Sequence, residues 1–130
     1  MKKKHLFLFL LIAFILLIYY VAVLSRNPNH FSPKLDLFWS YRNINSLSFR
    51  GSCLNILCFV PLGLMVGLIS DKHKILIALI VGLLVSLTIE LSQLICARGV
   101  FDVDDLFNNS LGAVVGGGTI VLLLKLMNKQ

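Results

Sequence analysis

At 130 residues, 58% hydrophobic and only 14% charged, with a mean hydropathy of +0.90, the chain has the composition of a protein whose solvent is the bilayer. A soluble domain of this size carries about a quarter charged residues and buries only about two-thirds of the surface its unfolded chain exposes. These figures exclude a soluble enzyme, a secreted disulfide scaffold and a nucleic-acid module. The net charge of +6 is then a topology signal, because most lysines sit at the ends of apolar runs.

Four apolar stretches follow one another, at 6–24, 53–70, 75–97 and 106–124. A helix needs about 20 residues to cross the hydrocarbon core, so each is long enough to span. The expected fold is an all-α membrane protein, a bundle of four transmembrane helices with one longer external loop at 25–52. The opening Met1-Lys-Lys-Lys4 precedes an apolar run longer than a signal-peptide core, and no clean small-x-small site follows it in Val21-Ala-Val-Leu-Ser25. An uncleaved first helix is expected.

In the loop, Ser32-Pro33 has the form of a helix start, with Ser as N-cap and Pro at the first helical position. Leu35, Phe38, Trp39 and Arg42 then fall at helical spacing. A short amphipathic helix on the interface and an irregular loop with interface-seeking Trp39 and Tyr41 both fit. Cys53, Cys58 and Cys96 form no CxxC pair and read as buried free thiols. Gly63 with Gly67, and Gly112 with Gly116, are GxxxG pairs that allow close helix approach.

Orientation follows from the basic residues. Lys2, Lys3, Lys4, Lys72, Lys74, Lys125 and Lys129 lie on one side. Arg26, Lys34, Arg42, Arg50 and Arg98 share the other with Asp36, Asp102, Asp104 and Asp105. The positive-inside rule places both termini in the cytoplasm and the 25–52 loop outside.

Polar residues inside apolar runs carry the functional information, because each is costly in lipid unless paired or hydrated. Ser86, Glu90 and Gln93 are four and three residues apart and share one helix face. Glu90 lies roughly 10 Å below the external end, where a carboxyl either keeps its proton or finds a cation such as Arg98 or Arg50. Asn55, Asn108 and Asn109 occupy the same half of the bilayer. Asp102-Val-Asp-Asp105 places an N-cap and two more acids at the start of the fourth helix, which suits the helix dipole. From these spacings Arg98 is expected to hold Asp105 and so tie the third helix to the fourth, with Asp104 turned to solvent. No nucleophile constellation, HExxH or phosphate loop is present, and no metal or cofactor is expected.

The order Asn55-x3-Phe59-x-Pro61-x-Gly63, then Glu90-x2-Gln93-x4-Arg98-x3-Asp102-x2-Asp105-x3-Asn109-x2-Gly112, resembles the VanZ-like family of small bacterial membrane proteins. The resemblance runs from Arg50 onward and implies that Asn55, Glu90, Gln93, Arg98, Asp102, Asp105 and Asn109 are the family's characteristic polar positions. It implies a role at the cell envelope, the founding member being linked to reduced teicoplanin susceptibility, while the four apolar stretches leave room for only one membrane domain over 1–130. The 25–52 loop lacks the Asn-x-x-Pro-Phe stretch of many members. Two functions are compatible with the residues. One is binding of a membrane lipid, lipid-linked cell-wall precursor or lipidated amphiphile in an outer-leaflet pocket. The other is a membrane enzyme acting on an envelope lipid, with Glu90 as acid or base and Asp102 and Asp105 in support. A proton-coupled transporter ranks third, since polar residues confined to one leaflet make no through-path.

Overall fold

The structure, a computed structural model, describes residues 2–30 and 32–128; Lys129, one of the cations used for orientation, lies outside them. Four helices are long and apolar enough to cross a membrane. They are α1 (Lys2–Tyr19), α2 (Leu47–Ile69), α3 (Lys74–Ile95) and α4 (Val103–Met127). A π-helical turn, Tyr20–Leu24, extends α1.

Two helices begin earlier than hydropathy indicates, because their starts are set by polar caps. Ser46 Oγ accepts from the Phe49 N–H at 3.1 Å and opens α2 six residues before position 53. Asp102 accepts from the Asp104 N–H at 2.9 Å and opens α4. At the other end of the bundle the Lys74 ammonium caps α2, donating to the Gly67 carbonyl at 2.7 Å and to that of Ser70. Lys4 and Asp71 pair across 2.7 Å there, and the Lys4 hydrogen bond holds the Asp71 carboxyl below its usual range. Both side chains are exposed, so the pair adds little to stability.

Small residues set the helix spacing. A Cβ added to Gly63 would lie 2.0 Å from the Ala113 carbonyl oxygen, and one on Gly116 would lie 2.2 Å from that of Val60. Thus α2 and α4 touch backbone to backbone at Gly63, Gly112 and Gly116, while Gly67 receives the Ile120 side chain. Gly82 and Gly117 do the same for α3 against α4, through the methyl groups of Ala113 and Ala78. The core runs through Phe59, Leu62, Val66, Ala78, Ile89 and Ala113, with Leu11 and Val23 reaching in from the first span. That span is otherwise peripheral: only 6% of its apolar window is buried, against 28–33% for the others.

Of the two readings open for the long loop, the structure has the irregular loop and not the amphipathic helix. Residues after α1 run beside the α3–α4 connection as two short parallel strands, β1 (Asn29–His30) and β2 (Arg98–Gly99). Lys34 continues the pairing, its N–H donating to Phe101 O at 2.8 Å and its carbonyl accepting from Val103 at 3.1 Å. This tertiary pairing draws Pro33 and Lys34 into extended chain and overrides the local Ser32-Pro33 signal. One 3₁₀ turn, Trp39–Arg42, remains, entered through Phe38 at φ 62°. The three cysteines are free, as expected, but Cys58 and Cys96 are exposed and Cys53 is half-buried, so they face outward instead of packing in the core.

Candidate functional site

The polar residues of α2, α3 and α4 gather at the end of the bundle that carries the long loop. Ser86, Glu90 and Gln93 are all buried on the inner face of α3, as their spacing requires. Glu90 pairs with neither Arg98 nor Arg50 within 4.0 Å; its Oε2 accepts from the Asp102 N–H at 2.8 Å. That bond ties α3 to the cap of α4. Asn55 Nδ2 donates to Asp105 Oδ1 at 2.7 Å, joining α2 to α4. Asn109 Nδ2 donates to Ser86 Oγ at 2.8 Å, joining α4 to α3.

A cavity of about 290 Å³ lies beside these groups. Asn55, Glu90, Gln93, Asp105 and Asn109 form its polar end, and Phe14, Leu17, Ile18 and Val21 of the first span form an apolar wall. Polar contacts hold the end of the first span that borders the cavity. Gln93 Nε2 donates to the Ala22 carbonyl at 3.0 Å, inside the π turn. Arg98 donates to the Leu24 and Arg26 carbonyls at 2.8 and 3.0 Å. Helix ends leave carbonyls without partners, and α3 and β2 supply the donors.

Two sequence expectations fail here. Arg98 does not hold Asp105; it caps the end of the first span, because the β1–β2 pairing brings those carbonyls within reach before any carboxylate. Asp104 is not turned to solvent but is 1% exposed. Its carboxylate accepts from the Phe38 N–H, from the Ser40 N–H at 2.9 Å and from Ser40 Oγ at 2.5 Å. Ser52 on α2 donates in turn to Ser40 at 2.9 Å. Asp102 is engaged as well, with both carboxylate oxygens 3.0 Å from the Trp39 indole nitrogen, while the Lys34 ammonium sits 3.7 Å from the Trp39 ring centroid. Asp102 and Asp104 therefore clamp the loop over α4, with the Trp39 indole held at the N-cap of that helix. Tyr41 donates to Asn108 Oδ1. Burial, reinforced by nearby Cys53, Asp104 and Asp105, raises the Tyr41 hydroxyl above its ordinary range, so it stays a donor at neutral pH.

Arg26 is the residue sequence reasoning missed. It borders that cavity and two neighbouring ones that also share Asp105, of about 320 and 210 Å³. In the sequence it is one more flanking cation. Arg98 lines only the 320 Å³ pocket beside it. Arg98→Ala should cost about 1 kcal/mol, because its charge-assisted hydrogen bonds go to exposed carbonyls. The charge swap Arg98→Asp with Asp105→Arg should then recover nothing in a thermal-shift double-mutant cycle. Recovery by the swap would restore the carboxylate tie.

No curated protein and no solved structure matches the chain. The VanZ/LLP1 family profile matches residues 5–125, and so takes in the first span and the loop as well as the polar helices from Arg50 onward. With four membrane-length helices and this family's profile along nearly all of its length, the chain is a multi-pass membrane protein that belongs to the VanZ/LLP1 family.

Proposed function

We propose that the protein sits in the bacterial cytoplasmic membrane with both termini inside, and that its polar cavity binds a lipid-linked or lipidated amphiphile from the outer leaflet. Through that ligand it modulates susceptibility to glycopeptides such as teicoplanin, the role that the family resemblance implies. The observation that carries this reading is the cavity's division into an apolar wall from the first span and a polar end at Asn55, Glu90, Gln93, Asp105 and Asn109. A tail fits the wall and a headgroup the polar end. The lysine distribution supports the orientation. The enzymatic alternative loses support at Asp102, whose two oxygens are occupied by Trp39 and the α4 N-cap bond.

Glu90→Gln keeps an acceptor for the Asp102 N–H and removes only the acid. It should preserve expression and melting temperature and abolish any glycopeptide phenotype. Unchanged susceptibility in well-expressed Glu90→Gln would remove Glu90 from the site, and turnover of a lipid by purified protein would establish the enzymatic reading. For orientation, an impermeant thiol reagent on intact cells should label Asp36→Cys and not Lys129→Cys in a chain whose three cysteines are alanine. The reverse pattern would put the cavity in the inner leaflet.

A further inference from the structure

Resting on that amphiphile reading, we propose that the cavity selects a headgroup bearing a primary ammonium, of the aminophospholipid type. The ammonium lies among Glu90, Asp105 and Asn109, and the phosphate lies at Arg26.

The polar end of the cavity has acceptors left over. Glu90 Oε2 and Asp105 Oδ1 are engaged by the Asp102 N–H and by Asn55. Among the described residues the second oxygen of each carboxyl has no hydrogen-bond partner. Asn109, which also lines the cavity, supplies a third unpaired acceptor. It is 4% exposed, and its Oδ1 is buried without a partner. The Asn109 amide donates its nitrogen to Ser86 Oγ at 2.8 Å, which leaves Oδ1 as its unpaired end. The donors on the same wall are engaged elsewhere, Gln93 at Ala22 and Asn55 at Asp105.

Charge points the same way. Among the described residues the only ion pair within 4.0 Å joins Lys4 and Asp71, at the opposite end of the bundle. Glu90 and Asp105 thus meet no protein cation within that distance, and a carboxyl so placed either keeps its proton or takes its counter-charge from a ligand. A primary ammonium brings a positive charge and three N–H donors to three unpaired acceptors. A quaternary amine brings no donor, and an acylated one brings no charge. Arg26 is exposed at the border of this cavity and of the two beside it. Its guanidinium suits a phosphate one short linker away from the ammonium.

The test is native mass spectrometry of the full chain in a neutral maltoside detergent. The probes are lauroyl lysophosphatidylethanolamine, its N-acetyl derivative and tail-less O-phosphoethanolamine. The wild type should prefer the free amine over the acylated lipid by about tenfold or more, the scale of a charge-assisted contact. Asp105→Asn should reduce that preference to near parity while keeping its melting temperature, and Glu90→Gln serves as the second variant should the first fold poorly. Equal binding of O-phosphoethanolamine and the lyso-lipid would overturn the amphiphile reading and with it the lipid source. Equal binding of the free-amine and N-acetyl lipids would overturn the ammonium assignment alone.

Discussion

Asp104→Ala is expected to detach the long loop from the bundle and to lower stability by about 3 kcal/mol or more, since each buried donor left unsatisfied costs about 1–3 kcal/mol. The substitution leaves three donors without an acceptor, the N–H groups of Phe38 and Ser40 and the Ser40 hydroxyl. Ser40 is 3% exposed, so water does not replace the carboxylate without local opening. Limited proteolysis should then cut between Lys34 and Asn45 in the variant and not in the wild type. Asp104→Asn should recover part of the loss, because its amide oxygen still accepts from the Ser40 N–H. An unchanged melting temperature in Asp104→Ala, with the loop still resistant, would show that something else holds the loop.

The second large effect belongs to Gly112. A Cβ there would stand 2.2 Å from the Ile56 carbonyl oxygen and 2.9 Å from Phe59 Cβ. Backbone cannot give way as a flexible side chain can, so Gly112→Leu must push α2 from α4 and break the neighbouring contacts at Gly63 and Gly116 as well. Overpacking of a tight core costs about 1–3 kcal/mol, and more where backbone is displaced. Folded protein recovered by size exclusion should fall severalfold. Gly118→Leu is the matched control, since a Cβ at that position meets nothing within 4 Å. If the two variants express alike, close approach of α2 and α4 is not what holds the bundle.

How far the sequence foretells this arrangement depends on whether a signal is local. Apolar runs of membrane length are local, and so is the spacing of Ser86, Glu90 and Gln93, which fixes a shared face whatever packs against it. Asn55 and Asn109 stand out because polar side chains are rare in such runs. The N-cap at Asp102 is local too. The partners of Arg98 and Asp104 are not. Within Asp102-Val-Asp-Asp105, successive side chains point about 100° apart, since a helix has 3.6 residues per turn. Which acid faces inward is decided by the loop lying over α4, and that loop departs from its local helix signal because Lys34 pairs with Phe101 and Val103. Arg26 reaches the cavity through the π turn and the capping of its own carbonyl by Arg98. Neither leaves a mark in the sequence.

Lipid mass spectrometry on protein extracted in native nanodiscs bears on the cavity itself. Wild-type particles should retain an amphiphile enriched over the surrounding membrane. Val21→Trp, which fills the apolar wall from an exposed position on the π turn, should lose that enrichment without losing the fold. Wild-type and Val21→Trp particles that both carry only the bulk lipid composition would contradict the account.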